Sequence, residues 1–575
     1  MDARKRVVVI SKRGRFTVGE LLFERGEQLT LSGGPRVKPG EMALAELGRG
    51  RARVLRTLGR PDTARDVVEA LIADRGLHRG FAAALEADAS EAAARARGRG
   101  PDRQDLTGLA TFTVDPATAR DFDDAVSASE SGDGVRLWIH IADVAAHVRP
   151  GDRLESEARR RANSVYVPGA VEPMLPHALS SEACSLTPGE ERLAVTSEIE
   201  LTANGDVRSA RFYRSLVRSD ARLDYDQLDR IFAGREAAPE ALAEPLALAR
   251  RATAALLERR PPDSIDVQSS EPEFEFEGGD VVAARSVPQT EAHRLIERLM
   301  ILTNERVAEL LERRRVPTLY RVHEWPDPER IGRLIEQLAA LDLPTHPLPD
   351  ALSPRQAAEI AGEASRTVAR EAARRGHGSE AYTSLVLRSL KQAYYSDRNL
   401  GHAGLGSSAY AHFTSPIRRY PDLIAHRGLL SAIGAGEEAP GADEVGEAGP
   451  HCSDREREAT RLERDADKVS AGFLLERELF GRGPSVRFEG EVSGLISAGA
   501  FVRFEGELAD TYEGFLPART IGGRERYELD ETETMLRGAR GGPTLRLGDP
   551  VSVTVDRVEA ARGFIDLLSA LGETR

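Results

Sequence analysis

The sequence predicts a multidomain α+β protein in which a large α/β region sits between two small β-barrels. Three observations predict it. The chain has 575 residues, enough for several separate cores. Glycine-punctuated strand patterning gives way to helical patterning near Ala64, and strand patterning returns after Gly483.

The elements follow in chain order. Residues 6–10 and 16–23 are β-rich and are broken by turns such as Ser32-Gly33-Gly34-Pro35, so 1–63 is expected to be a barrel. From Ala64 to about Arg97, Val67, Val68, Leu71 and Ile72 recur at helical spacing, which predicts a helical connector over 64–104. The α/β region, 105–480, opens with strand-type segments at 109–114, 135–141 and 193–201 and continues with helices such as 291–315 and 381–396. Residues 433–450 (IGAGEEAPGADEVGEAGP) show no period and are expected to form a mobile surface loop. Strand-sized segments at 486–492, 501–504, 514–516 and 551–558 predict a five-stranded barrel of the OB type over 483–575.

Composition narrows the function class. The longest apolar runs are too short to span a bilayer or to form a signal-peptide core, so a soluble, cytoplasmic protein without membrane contact is expected. The two cysteines, Cys184 and Cys452, form no CxxC pair, which excludes a disulfide framework and a structural zinc site. His451 beside Cys452 is taken as coincidence within the expected loop. Net charge is −14, an unpromising value for a protein that holds a polyanion, yet residues 1–60 carry 14 Lys and Arg against 6 Asp and Glu. That basic segment reads either as a nucleic-acid footprint or as a solubilising face.

The most informative segment is Thr113-Val114-Asp115-Pro116-Ala117-Thr118-Ala119-Arg120-Asp121-Phe122-Asp123-Asp124, with four carboxylates between strand-type segments. In a regular strand Asp121 and Asp123 share one face and Asp124 takes the other. Bringing all four together is costly without a cation, and hard oxygen donors suit Mg²⁺, with Mn²⁺ as substitute. Phosphodiester hydrolysis commonly uses such a cluster. An acidic surface turn with Asp115 as a cap is the plain alternative.

With its flanks, RQDLTGLATFTVDPATARDFDDAV resembles the opening of the catalytic domain of the ribonuclease II/ribonuclease R (RNB) family. Further matches follow in the family's order: LWIHIADV (137–144), YVPGAVEPMLP (166–176), AHRLIERLMILTN (292–304), YRVHEWPDP (320–328) and AYAHFTSPIRRYPDLIAHR (409–427). GEVSGLISAGAFV (490–502) resembles the family's S1 RNA-binding domain. The resemblance implies an RNB catalytic domain between a cold-shock-like barrel and an S1 barrel. It also implies a monomer that degrades single-stranded RNA from its 3′ end, processively and by metal-ion catalysis, to nucleoside 5′-monophosphates. The wording RRYPD (418–422) is closer to ribonuclease R than to ribonuclease II.

By this resemblance Asp115, Asp121, Asp123 and Asp124 are the catalytic and metal-binding acids. Arg418 matches an arginine that grips the phosphate beside the scissile bond, and Arg419 is placed with it on the RNA. A guanidinium there forks onto two phosphate oxygens and offsets developing charge; the alternative is an ion pair with Asp422 along a helix. Tyr166 matches an aromatic that clamps bases, and Glu297 a glutamate near the terminal sugars. An ordinary i, i+4 pair of His293 and Glu297 remains the other reading of that acid. Glu463 is left outside the catalytic set.

The chain also departs from the family pattern. One shortened cold-shock-like barrel fits before Ala64 where the family usually has two, and SIDVQ (264–268) stands where the family generally has an aromatic for the 3′-terminal base. The C-terminal LGETR lacks the Lys-rich run common in ribonuclease R. Two other functions remain to be separated by assay: an RNA-binding regulator on the same scaffold with weak catalysis, and a nuclease acting mainly on DNA.

Overall fold

The computed structural model describes the chain apart from residues 1–3, 25, 27, 35, 78, 96–101, 260, 262–263, 266–269, 346, 350, 523–524 and 571–575. The first five strands, Lys5–Arg13, Phe16–Leu21, Leu29–Leu31, Met42–Gly48 and Arg51–Gly59, close into a barrel of order 1-2-3-5-4. Both faces of its first strand are used. Val8 and Ile10 point into the barrel with Ala43, Ala45 and Val54, whereas Val7 points outward onto Val67 and Leu71 of the helix Ala64–Asp74. The expected helical connector consists of two helices, Ala64–Asp74 and Ala83–Arg95, parted at Gly76 and Gly80, which both adopt positive φ.

The central region is built on a seven-stranded sheet of order Ala221–Leu223, Phe112–Val114, Asp124–Ser131, Gly134–Ala142, Glu191–Leu201, Val207–Arg218, Gln104–Asp105. A buried polar row crosses it strand by strand, from Thr111 through Ser127, His140 and Thr196 to Ser215, with contacts of 2.7, 3.1, 2.9 and 2.6 Å. Each member finds a partner, so the row adds register without leaving a stranded polar group. Burial pushes the His140 imidazole down to about 3, so it stays neutral there. The expected helix over 381–396 ends at Ser389, and Tyr394–Ser396 instead pairs as a strand with Tyr320–Val322.

The expected loop at 433–450 is a correction. Residues from Ala442 onward form the start of a 41-residue helix, Ala442–Arg482, with Pro450 inside it. Val445, Ala448 and Cys452 are buried at helical spacing, and Gly449 lies so close to the Tyr395 carbonyl that a Cβ would sit 3.0 Å from its oxygen. That burial offsets the lost backbone hydrogen bond of Pro450. His451 is therefore helical, its Nε2 2.8 Å from the Arg159 carbonyl oxygen.

This helix, about 60 Å long at 1.5 Å per residue, joins three cores in turn. Val445 and Ala448 belong to the central core, Leu462 and Val469 to the core shared with the first barrel, and Leu474 and Leu475 to the core of the last barrel. That last barrel, Arg487–Ile496, Gly499–Phe504, Tyr512–Pro517, Pro550–Glu559 and Phe564–Ser569, repeats the strand order 1-2-3-5-4 with its third and fifth strands parallel, as in the first. A hairpin of Glu271–Glu277 and Asp280–Val287 ties the ends together. Ala284 N donates to Leu508 O at 2.9 Å, and Arg65 N donates to Gly279 O at 3.3 Å.

Candidate active site

The carboxylate segment is a connection between two adjacent strands. Asp115 follows Phe112–Val114, Asp124 begins Asp124–Ser131, and the bend between them brings both ends of the segment to one edge of the sheet. Side chains from elsewhere hold the bend. Arg222 donates to the Pro116 and Ala117 carbonyls at 2.8 and 2.6 Å, and its guanidinium lies 5.1 Å from the Phe122 ring centre. Ser185 Oγ accepts from Phe122 N at 3.0 Å and donates to Arg120 O at 2.9 Å. The acids are thus carried on a backbone fixed by its surroundings.

Their charges are poorly compensated. Asp123 is 4% exposed; its Oδ1 accepts from Ile417 N at 2.8 Å, while Oδ2 has no hydrogen bond and meets only Arg418 Nε at 3.6 Å. Asp115 Oδ2 is likewise buried without a hydrogen bond. Burial holds both carboxyls well above the usual range; the Asp124 charge adds to the effect at Asp115, and Arg418 opposes it at both. Asp124 is pushed up to about 6 by burial, against the pull of Arg418 and Arg419. Asp121 Oδ2 accepts from the Tyr166 hydroxyl at 2.6 Å. Among the described residues no three acidic, His or Cys side chains converge as a closed coordination shell. The orphaned buried oxygens and the all-oxygen donor set fit a hard divalent cation.

Facing the acids is the turn before the helix Tyr420–Ala432. Its Ile417 N–H holds Asp123, and its Arg418 side chain is about half exposed over the cluster. The neighbouring Arg419 is differently engaged: Nη2 donates to Asp422 Oδ1 at 2.8 Å, the same oxygen that accepts from Ser415 N. The ion pair with Asp422 considered for Arg418 therefore belongs to Arg419, which braces the turn. Ser164 N donates to Arg418 O at 2.9 Å, linking this turn to the strand Val165–Val167 that carries Tyr166.

Tyr166 stands with the cluster, and its backbone N–H donates to Glu463 Oε1 at 3.0 Å. Glu297 accepts from Gln289 Nε2 at 3.3 Å. Its helical neighbour His293 stacks on Tyr225, with ring centres 3.8 Å apart and planes 11° apart. Tyr225 was not singled out in the sequence, yet burial and the charges of Asp124 and Asp115 push its phenol up. The only sequence signal for it was its place next to the helix-capping Asp224. Asp266 to Gln268, where a stacking aromatic is missing, lie outside the described residues.

Comparison with known proteins decides the family. Residues 103–435 match the RNB domain model. Ribonuclease R of Escherichia coli is 35% identical over 486 residues, covering 81% of this chain and 57% of that protein. Ribonuclease R of Aquifex aeolicus is 36% identical over 474 residues, covering 81% of this chain and 64% of that protein. The chain belongs to the RNB domain family. This RNB chain spans less than two thirds of the length of those relatives. Its whole fold is similar to that of Mycoplasma genitalium RNase R in complex with ribose methylated single-stranded RNA, at a TM-score of 0.85 and 24% identity, covering 98% of this chain and 89% of that one. Yeast Ssd1, described as a pseudonuclease, is similar at a TM-score of 0.66 and 16% identity, covering 94% and 68%.

Proposed function

We propose that this RNB protein is a 3′→5′ exoribonuclease that hydrolyses single-stranded RNA to nucleoside 5′-monophosphates with a bound Mg²⁺ or Mn²⁺. The observation that carries it is the pair of buried, hydrogen-bond-free carboxylate oxygens on Asp115 and Asp123, beside the half-exposed Arg418. A bare buried oxygen is not distinctive alone, since Asp74, Glu172 and Asp422 each leave one, but two such oxygens in one segment with Asp121 and Asp124 make a concentration of charge that a bound cation would offset. Asp115, Asp121, Asp123 and Asp124 would hold the cation, which supplies charge neutralisation and activates water for attack on the last phosphodiester. Arg418 reaches toward the same space and offsets charge on the phosphate in the transition state.

The protein's own groups set the rest of the geometry. The Ile417 N–H fixes the Asp123 carboxylate, and Arg419 with Asp422 keeps the turn rigid so that Arg418 need not be ordered at each turnover. Tyr166 offers an exposed ring, 37% accessible, for sequence-tolerant stacking of a base. Glu297 and the Tyr225–His293 stack, on the other flank, would meet the terminal ribose, where a 2′-hydroxyl distinguishes RNA from DNA. The regulator reading is less favoured, because all four acids and Arg418 are present and the acids are uncompensated.

The test is a digestion of 5′-labelled single-stranded RNA with Mg²⁺, alongside a matched DNA oligomer and a chelator control. A ladder shortening from the 3′ end, specific to RNA and abolished by chelator, is the expected result. RNA that stays intact but bound would establish the regulator instead.

A further inference from the structure

A second feature lies on the reverse side of the strand Val165–Val167. A partly open pocket of about 290 Å³ lies between the end of the helix Ala64–Asp74, residues 161–172 and the middle of the helix Ala442–Arg482. Its volume is at the lower end of small-molecule sites, which run from about 300 to 1,000 Å³. Of the apolar lining, Val165, Ala459 and Leu462 belong to the packed core and are 5%, 6% and 1% exposed, so the apolar surface open to a ligand is Leu77 with the aliphatic stems of the lining arginines.

The polar lining has an excess of positive charge within an acidic chain. Six cations and three carboxylates contribute. Each carboxylate is matched: Arg75 pairs with Asp465 at 2.9 Å, Arg161 lies 3.6 Å from Glu172, and Arg455 pairs with Glu458. The remaining three, Arg461, Arg464 and Lys468, have no ion pair among the described residues and are exposed. Their spacing of three and four puts them on one side of the helix, together at the rim. Uncompensated cations above an apolar lining suit a ligand with an anionic end and a flat apolar body.

We infer that this pocket binds a nucleotide, its phosphate on Arg461, Arg464 and Lys468 and its base against Leu77 and the side chains of the other lining arginines. Two sources carry that chemistry: a free nucleoside 5′-monophosphate, or one nucleotide of an RNA strand passing the rim. Either occupant touches the active region from behind. Val165, in the lining, precedes Tyr166, and Glu463, which accepts the Tyr166 N–H, lies on the same helix between Arg461 and Arg464.

The test uses the full chain in chelator, so that no strand is cut and the outcome is independent of the proposed hydrolysis. A fluorescent guanosine 5′-monophosphate and a labelled single-stranded RNA are titrated separately into the parent, into the triple variant Arg461→Gln/Arg464→Gln/Lys468→Gln, and into Arg418→Ala. A tenfold or greater loss of monophosphate affinity in the triple variant, with Arg418→Ala within twofold of the parent, establishes the free nucleotide as occupant. If the monophosphate binds none of the proteins but the triple variant loses tenfold in RNA affinity, the occupant is the strand. Unchanged titrations of both probes in the triple variant, or a monophosphate loss confined to Arg418→Ala, overturn the site. All three side chains are exposed, and the single variants give the same reading in smaller steps should the triple one melt early.

Discussion

Two buried aspartates about twenty residues apart in sequence carry opposite electrostatic settings. Asp143 accepts from Arg103 at 2.5 Å and from Arg214 at 2.9 Å, and its other oxygen accepts from Ala146 N at 3.2 Å. Burial works against its charge, but the two guanidiniums hold its carboxyl below the usual range. Asp123 is equally enclosed, has one backbone donor and a distant arginine, and is held well above that range. The first aspartate is a rivet between strands. The second is a charge left for something else to neutralise, and that contrast, rather than burial alone, separates scaffold from candidate chemistry.

The comparison breaks most visibly under substitution. Asp123→Asn is expected to lower RNA hydrolysis by about 10²-fold or more while RNA binding persists and the melting temperature at pH 8 does not fall, since a disfavoured buried charge is removed. Asp143→Ala is expected to do the reverse. It strands two arginines, costs about 3–5 kcal/mol of stability in a denaturant titration, and leaves activity per folded molecule near the parent value. Asp123→Asn with near-parent cleavage would remove Asp123 from the chemistry.

Next in size is Arg418 against Arg419. Arg418→Ala should slow cleavage by about 10²-fold with affinity largely kept, as for a contact that strengthens in the transition state. Arg419→Ala should instead show up first as a lower melting temperature, because it leaves Asp422 buried without its cation. Equal loss of RNA affinity in both would place the two arginines together on the substrate.

The sequence made the arginine pair look interchangeable because adjacent residues share a motif, whereas the turn sends one side chain to Asp123 and the other to Asp422. The first two strands of the first barrel and four of the five in the last were legible, since alternation and glycine breaks are local signals; Leu29–Leu31, Met42–Gly48, Arg51–Gly59 and Phe564–Ser569 were not read, nor was the common order 1-2-3-5-4, because pairing is not local. The four acids were legible as a run with flanking strands. The 433–450 segment was misread because Gly and Pro are strong local breakers, and only the distant surface of Tyr395 and Leu319, against which Gly449 packs, reveals why a helix forms there. Tyr225 was invisible for the same reason: its partner His293 is 68 positions along the chain.

Smaller effects sharpen the electrostatic picture. Val7 and Met42 share a core with Leu462 and Val469, so the first barrel is a structural part of the whole and its charge is best tested by surface substitution. Changing exposed Arg51, Arg53 and Arg56 to Gln should weaken RNA binding and flatten its log–log salt dependence by about 0.7 per lost phosphate contact. An unchanged slope would make the basic segment a solubilising face. Smallest is Asp467, pushed up to about 7 by burial and by the charges of Glu463 and Glu271. Its folded-state value exceeds the ordinary one, so its contribution to stability is present at low pH and is lost as pH rises through 7. Asp467→Asn should therefore gain melting temperature over the parent at pH 8 and lose that advantage near pH 4.

Titration of Mn²⁺ into the intact protein and into Asp123→Asn at pH 8, followed by calorimetry, tests most directly whether the uncompensated carboxylates exist to hold a cation. Saturable binding in the parent that is abolished or weakened at least tenfold in Asp123→Asn is the result this account predicts. Indistinguishable isotherms for the two proteins would contradict it.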